Sequence, residues 1–200
     1  MDSEGASYYE SWYRSLYPMI WDELQNDKLS LPEPTAYNTL KLIKERPDLN
    51  FFDILSTPEK ETAADVVRKS FSEGVKAIEQ WKQEKKKNPT WSDYKDSYIR
   101  HLALLEPFSY HVKHGGNSSI VNAHGKRNGP SWRMVVSLEK SGVKAWGVYP
   151  GGQSGNPGSP YYNSMLDTWT ADQYLNLHFN NSVDQTKNFA MSTLTLKSSK

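Results

Sequence analysis

A serine set among glycines is the first place where residue types and spacing could support chemistry. The stretch GVYPGGQSGNPGSPYY, residues 147–162, contains five glycines, three prolines and, near its centre, Ser154. A nucleophile elbow requires small residues two positions before and two positions after its serine, so that a strained turn exposes the hydroxyl. Gly152 meets the first requirement, but Asn156 stands at the second position because Gly155 comes one place early. The pattern therefore favours a scaffold turn over a nucleophile.

Nucleotide binding is a second function that this loop does not match. A P-loop needs lysine followed by serine or threonine after its last glycine, and nothing of that kind follows Gly155. A dinucleotide-binding loop opens directly into a helix, whereas Pro157 and Pro160 intervene here. We therefore expect no cofactor.

The histidines suggest at most half of a metal site. His111 and His114 are three residues apart, a separation that would place both on one side of a helical turn, as in part of a zinc site. Acidic residues do not stand nearby at a useful spacing, so surface or hydrogen-bonded histidines are the favoured interpretation. The other three are scattered: His101, His124 and His178. We predict no metal site.

Two further short patterns are typical of protein surfaces. The basic run at residues 85–87 lacks the interleaved aromatic residues of a nucleic-acid surface, so we interpret it as a solvated helix end. Asn117, Ser118 and Ser119 form a glycosylation acceptor pattern. That triplet is common by chance, and a turn before a short strand is the preferred interpretation.

The composition limits the class of protein. The chain has 200 residues, enough for one domain with a sizeable core, and its 24 Lys and Arg nearly balance its 23 Asp and Glu. A balanced charge gives no overall field for nucleic acid, an anionic membrane or an acidic substrate. Cysteine is absent, which excludes disulfides, thiolate metal sites and a cysteine nucleophile. The sequence shows neither a membrane span nor the pattern of a signal peptide. We expect no nucleic-acid partner and no membrane partner.

The first half of the chain has the periodicity of helices. One helix is predicted from Ala6 to about Leu29, kinked or split by Pro18. Its apolar stripe consists of Tyr9, Trp12, Leu16, Ile20 and Leu24. A shorter helix is predicted at residues 40–43, after Thr35 and before Arg46 and Pro47, because the residue before a proline resists the helical conformation.

A third helix is predicted from about Pro58 to the lysines at residues 85–87, with Ser56 or Thr57 as its cap. Acidic residues crowd its first turn and basic residues its last turn, which complements the helix dipole. Its predicted buried stripe consists of Ala63, Val67, Phe71, Val75, Ile78 and Trp81.

The second half has the alternation of strands. The segment SWRMVVSL, residues 131–138, places one set of side chains on one face: Trp132, Met134, Val136 and Leu138. The strand-like segment VKAWGVY follows after a short loop with a glycine, which predicts an antiparallel hairpin. A helix at residues 165–175 and a strand at residues 189–196 are predicted after the glycine-rich loop. The fold class is α+β, with a mainly helical segment at residues 1–90 and an antiparallel α+β segment at residues 91–200.

Three long motifs carry a resemblance to a known family. In order, GGNSSIVNA, GPSWRMVVSL and PGGQSGNPGSPYYNSMLDTWTADQYLNL resemble the carboxyl-terminal part of the large subunit in the penicillin acylase family. The likeness is strong from Gly115 to about Leu177. Upstream, YYESWYRSLYPMIWDEL is similar to a family helix, whereas residues 91–113 depart from the usual pattern.

The resemblance implies an αββα sandwich of two antiparallel sheets covered by helices. Its members are N-terminal-nucleophile hydrolases that cleave linear amide bonds in penicillins, acyl-homoserine lactones or related acyl amides, after a precursor cuts itself into two subunits. The new amino-terminal serine is the nucleophile, and its own α-amino group, whose pKa is about 8, is the base. Family members are often exported, so the resemblance implies a periplasmic or extracellular location for the protein.

That chemistry requires a serine at the start of a chain, and this sequence starts with Met1 followed by Asp2. A cut before Ser159 would sever the segment that most resembles the family. The oxyanion asparagine of the family lies upstream of the matching region, so neither Asn117 nor Asn122 takes that role. The resemblance therefore implies that no catalytic residue lies in this chain.

We expect a fragment of a larger amidohydrolase, inactive alone, with the rest of the parent polypeptide as its partner. The exposed apolar surface of such a fragment predicts self-association. Two alternatives stay open. One is a self-standing, non-catalytic binding module on the same scaffold. The other is a complete small hydrolase that pairs Ser154 with His124 or His178, and the wrong flanking pattern of the serine disfavours it.

Overall fold

The computed structural model describes residues 1–25, 31–32, 34–118, 120–180 and 182–198. Contacts divide the chain into two units. The first consists of Met1–Tyr98 and His111–Asn117, and the second consists of Ile99–Tyr110 and Ser118–Lys200. The boundary at residue 90 expected from the sequence stays a prediction.

Helices build the first unit. They are α1 (Glu4–Ile20), α2 (Asp22–Gln25), α3 (Ala36–Glu45), α4 (Ala63–Lys85) and α5 (Trp91–Lys95), with a 3₁₀ turn at Asn50–Phe52. Thr35 caps α3 by accepting the N–H of Asn38, and α3 ends before Pro47, which confirms the helix predicted between Thr35 and Pro47. Pro18 lies inside α1, and the break comes three residues later at Trp21. The predicted end near Leu29 lies outside the described residues.

The core of the first unit lies where α1 meets the 3₁₀ turn and the start of α4. Its buried residues are Leu16, Ile20, Trp21, Phe52, Ile54, Ala63 and Val66. Trp21 donates its indole N–H to the hydroxyl of Thr39 at 3.0 Å, so α3 is tied to the same core by a buried hydrogen bond. The predicted stripe residues Leu16 and Ile20 are confirmed, whereas Tyr9 is exposed.

Small residues decide how α1 packs on α4. Ser11 donates its hydroxyl to the carbonyl of Gly74 at 2.9 Å, and a Cβ on Gly74 would lie 2.7 Å from backbone atoms of Trp12. The buried stripe of α4 therefore runs through Val66, Ser70 and Gly74. The predicted stripe was wrong at Phe71, which is exposed, because the closest helix contact selects side chains small enough to let the backbones approach.

Helix α4 begins five residues later than predicted. Thr62 and Asp65 form a capping box, in which each side chain bonds the backbone N–H of the other residue. The predicted cap, Thr57, instead donates its hydroxyl to the carboxylate of Glu61, which also accepts the N–H of Ile54. Because the side chain of Thr57 is used in this turn, the prediction of a start at Pro58 was wrong.

The second unit contains the predicted hairpin. Strand β3 (Arg133–Glu139) pairs antiparallel with β4 (Gly142–Val148), and β4 pairs with the short strand β5 (Leu175–Leu177), in the order β3-β4-β5. A separate two-stranded sheet joins β1 (Ser97–Ile99) to β2 (Tyr110–Val112), and a 3₁₀ turn at Glu106–Phe108 precedes β2. The antiparallel hairpin at residues 133–148 is confirmed.

Two predictions after the glycine-rich loop were wrong. Helix α6 (Leu166–Thr170) is shorter than the predicted helix at residues 165–175. It ends early because Asp172 has a positive φ of 55° and because the guanidinium of Arg133 donates a hydrogen bond to the carbonyl of Trp169. Residues 189–196 do not form a strand, and α7 (Val183–Lys187) precedes them. A strand needs a partner, and no described strand pairs with this segment.

Candidate functional site

The glycine-rich loop closes on itself through backbone contacts. The N–H of Met165 donates to the carbonyl of Gly151 at 2.8 Å, and the N–H of Ser154 donates to the carbonyl of Tyr161 at 3.2 Å. A Cβ on Gly152 would lie 1.9 Å from the carbonyl oxygen of Tyr161. Gly152 is therefore required for the close approach of two backbone segments.

Ser154 is a turn residue in this structure. Its hydroxyl accepts the N–H of Asn156 at 3.1 Å, and the side chain of Asn156 accepts the N–H of Gly158 at 2.9 Å. Such side-chain to backbone bonds stabilise tight turns. The hydroxyl is therefore engaged in the turn.

The glycine-rich loop is also tied to the segment before β2. Tyr162 donates its hydroxyl to the carbonyl of Phe108 at 2.9 Å, and burial, assisted by nearby Tyr110, raises the pKa of Tyr162. Asn163 donates its amide to the hydroxyl of Tyr110 at 3.2 Å. These bonds hold the carboxyl-terminal end of the loop against Phe108 and Tyr110, which is the arrangement of a scaffold.

The two histidines proposed as partners for Ser154 pack against aromatic rings. His124 meets Trp169 edge-on at a centroid distance of 4.8 Å, and His178 stacks on Phe189 at 3.9 Å. Ser154 bonds backbone groups of its own loop, the carbonyl of Tyr161 and the N–H of Asn156. The geometry of a serine–histidine pair is therefore not formed among the described residues.

His111 and His114 each hold a hydrogen bond within the first unit. Nδ1 of His111 lies 2.7 Å from a carboxylate oxygen of Asp96, and Nδ1 of buried His114 lies 3.0 Å from the carbonyl oxygen of Gly115. Among the described residues, no group of three or more His, Asp or Glu is placed to hold a metal ion.

A buried lysine is the residue that the sequence analysis missed. Lys95, at the end of α5, is only 4% exposed, and its amine donates to the carbonyls of Gly115 and Gly116. Trp91 donates its indole N–H to the same carbonyl of Gly116 at 2.8 Å. We call Trp91, Lys95, Gly115 and Gly116 the lysine clamp. In the sequence, Lys95 stands among polar residues and looks like any surface lysine.

Burial lowers the pKa of Lys95 to about 8, because its charged form loses hydration. An amine with this pKa is able to act as a base or nucleophile slightly above neutral pH. Here its protons point at two backbone carbonyls and it is shielded from solvent, so its geometry is that of a structural clamp. The clamp holds the start of the motif GGNSSIVNA, whose Asn117 donates its amide to Glu10 at 3.2 Å. Ser119, the third residue of the glycosylation pattern, lies outside the described residues.

The comparisons with known proteins define the class. The sequence matches the family model of penicillin amidase over residues 1–185, so the chain belongs to the penicillin amidase family. Residues 1–185 include the glycine-rich loop and the lysine clamp. The family membership expected from the three motifs is confirmed.

Two curated relatives are bacterial acylases. The acyl-homoserine lactone acylase QuiP of Pseudomonas syringae pv. tomato is 26% identical over 173 residues, which cover 78% of this chain and 20% of the acylase. The enzyme of the same name from Pseudomonas fluorescens is 27% identical over 146 residues, which cover 65% of this chain and 17% of that acylase. The chain therefore spans about one fifth of the length of these relatives.

A solved structure shares the fold. The thermostable penicillin G acylase from Alcaligenes faecalis superimposes with a TM-score of 0.55 at 14% identity, over 99% of this chain and 39% of that chain. The expected fold class, a helical first half followed by antiparallel strands within the penicillin acylase fold, is confirmed. No helix in the described part of the chain is long and apolar enough to cross a membrane.

Proposed function

We propose that this chain is the carboxyl-terminal part of a larger amidohydrolase of the penicillin amidase family, which hydrolyses linear acyl amide bonds. The observation that carries the proposal is a family match over residues 1–185 in a chain that spans about one fifth of its acylase relatives. The substrate class is that of the relatives' names and of the family: acyl-homoserine lactones, penicillins or related acyl amides.

The chain supplies scaffold to this enzyme. The side chain of Ser154 is used inside its own turn, and the amine of Lys95 is used on the carbonyls of Gly115 and Gly116. Both arrangements stabilise loops of the family motifs and leave the nucleophile, the base and the oxyanion donors to the rest of the enzyme. We propose that residues 1–200 alone do not turn over substrate.

An assay of the purified chain tests this proposal. We expect no hydrolysis of penicillin G or of an acyl-homoserine lactone by residues 1–200 alone, and acylase activity when the remaining polypeptide of the parent acylase is supplied. Enzymatic turnover by the chain alone, lost in Ser154→Ala, would contradict the proposal and favour the small hydrolase. The matched control is Ser159→Ala in the same loop.

A further inference from the structure

A cavity of about 470 Å³ opens in the second unit where the pairing of β4 with β5 ends. Strand β4 starts at Gly142, but its register with β5 covers only Ala145–Gly147. After β5 the chain leads into α7, and Phe189 beyond this helix stacks on His178 at a centroid distance of 3.9 Å. The stack brings the two ends of this segment together, and both of its rings line the cavity.

The cavity offers aromatic rings and carboxamides side by side. Trp146 lines it from β4 and pairs in register with Asn176 of β5, so their side chains are neighbours on the same side of the sheet. Phe179 and Phe189 add two further rings to the lining. Three more carboxamides line the same space: Asn180, Gln185 and Asn188. A carboxamide both donates and accepts hydrogen bonds, whereas an aromatic ring offers an apolar surface.

The charges of the lining disfavour ionic ligands. None of the described residues that line the cavity is acidic, so it lacks the carboxylates that hold a cation. Its lysine, Lys144, forms an ion pair with Glu139 at 2.8 Å, so the positive charge is already balanced. A purely apolar ligand would strip water from the carboxamides without replacing their hydrogen bonds, which costs free energy. The lining therefore suits a neutral ligand that has many hydroxyl groups and an apolar face.

We infer that this cavity binds a neutral saccharide. A pyranose ring presents C–H groups on one face, which pack on an aromatic ring, and hydroxyl groups around its edge, which exchange hydrogen bonds with carboxamides. The volume lies within the range of small-molecule sites and admits a ligand of about one or two sugar rings. Because Trp146 pairs with Asn176, a stacking surface and a hydrogen-bonding group are within reach of the same ring.

The inference goes beyond the proposed function and does not depend on it. The family match ends at residue 185, whereas Asn188 and Phe189 of the cavity lie after it. The match therefore assigns no role to this part of the lining. A saccharide site would add a binding activity to the amide-bond chemistry of the family.

Titration of the ¹⁵N-labelled chain, followed by NMR, tests the inference. The probes are cellobiose and N,N′-diacetylchitobiose, which share one glycosidic linkage and differ in their acetamido groups. N-hexanoyl-homoserine lactone is the neutral amide used for comparison. The side-chain amide signals of Asn176 and Asn188 report on the cavity, and the signal of Gln173, an exposed carboxamide outside the lining, is the internal control.

We expect at least one disaccharide to shift both cavity signals saturably, with a Kd of about 1 mM or tighter, and to leave Gln173 unchanged. Asn176→Ala and Asn188→Ala each remove one carboxamide and should weaken this binding at least about fivefold, whereas the matched control Gln173→Ala should not. Melting temperatures show whether each variant keeps its fold. The shifts in the unsubstituted chain decide the inference even where a variant does not fold.

Four outcomes would overturn the inference. The first is that neither disaccharide shifts the cavity signals, and the second is that Gln173 shifts as much as Asn176 and Asn188. The third is that folded lining variants bind the disaccharide as tightly as the unsubstituted chain. The fourth is tighter binding of N-hexanoyl-homoserine lactone at the same signals, which would identify the cavity as an amide site instead.

Discussion

The first unit buries the apolar residues of its helices, whereas the second unit leaves much of its sheet in solvent. Leu16, Ile20 and Val66 are completely buried in the first unit. In the second unit, Val148 and Trp169 are buried on one side of the sheet, while Leu138 and Met134 are exposed on the other. The difference shows that the helical unit has a buried core, whereas the sheet of the second unit has a core on one side only.

The loops that carry the family motifs differ in the same way. In the first unit, the motif GGNSSIVNA begins in the lysine clamp, whose Trp91 and Lys95 are buried. In the second unit, the glycine-rich loop is held by bonds within its own turns and by the bonds of Tyr162 and Asn163 to Phe108 and Tyr110. A loop fixed by its own turns requires less surrounding structure than a loop fixed by a buried cation.

Truncating one leucine in each unit, buried Leu16 and exposed Leu138, gives the largest expected contrast in stability. Leu16→Ala should lower the free energy of unfolding by about 3 kcal/mol, because it leaves a cavity in a packed core. Leu138→Ala should change it by less than about 0.5 kcal/mol, because the side chain is solvated in this chain. Urea denaturation measures both. A loss of similar size in the two variants would show that the sheet has a covered face after all.

The contact between α1 and α4 is tested by its glycine. Gly74→Ala should destabilise the chain by roughly 2–3 kcal/mol, since the new methyl group would meet the backbone of Trp12 and force the helices apart. Gly5→Ala is the matched control, because a Cβ there meets only the hydroxyl of Ser3, at 3.7 Å. We expect the control to be neutral or slightly stabilising. Equal destabilisation by the two substitutions would contradict the close helix packing.

The substitution Lys95→Met removes the amine of the lysine clamp. It should lower the free energy of unfolding by about 2 kcal/mol, because the carbonyls of Gly115 and Gly116 lose a buried donor. The effect also depends on pH. Folding lowers the pKa of Lys95 from 10.5 to about 8, so between these values the unfolded chain binds more protons than the folded chain. The stability of the unsubstituted chain should therefore rise with pH across this window relative to Lys95→Met.

Denaturation curves at pH 7 and pH 10 for both proteins measure that change. A stability difference that stays constant between the two pH values would show that Lys95 is not desolvated. Lys113→Met serves as the control, because it removes the amine of an exposed lysine that is paired with Asp93 and lies outside the lysine clamp.

The smallest expected effect concerns the start of α4. Thr62→Ala should destabilise by about 1 kcal/mol, through loss of the capping box. Hydrogen bonds from Thr62, and then from Arg68, lower the pKa of Asp65 from 3.8 to about 2. The stabilisation that the Asp65 carboxylate gives the folded chain is therefore complete above pH 3.8 and is lost as the pH falls toward 2. Thermal unfolding should show a larger difference in melting temperature between the unsubstituted chain and Thr62→Ala at pH 6 than at pH 2. Thr57→Ala, at the cap predicted from the sequence, should leave the pKa of Asp65 unchanged.

Much of the architecture was predictable from the sequence because it rests on local rules. The stop of α3 before Pro47 follows from a proline that restricts the residue before it, and the hairpin at residues 133–148 follows from alternating strands joined by a short loop. The residues that flank Ser154 were also informative, because they predicted a turn. In the structure the hydroxyl of Ser154 accepts the N–H of Asn156 within that turn. Three motifs in order were enough to identify the family.

The remaining features depend on contacts between residues far apart in the sequence. Periodicity placed Phe71 in the core, but the approach of α1 gave the buried positions to Ser70 and Gly74. Strand propensity favoured residues 189–196, but β4 paired with residues 175–177.

Local sequence by itself determined that α3 ends before Pro47 and that residues 133–148 form a hairpin, because proline restriction and strand alternation act within a few residues. The tertiary structure alone decided which faces are buried and turned Lys95 into a clamp. Burial is a property of what packs against a residue, and for Lys95 the partners are the carbonyls of two glycines about twenty residues away.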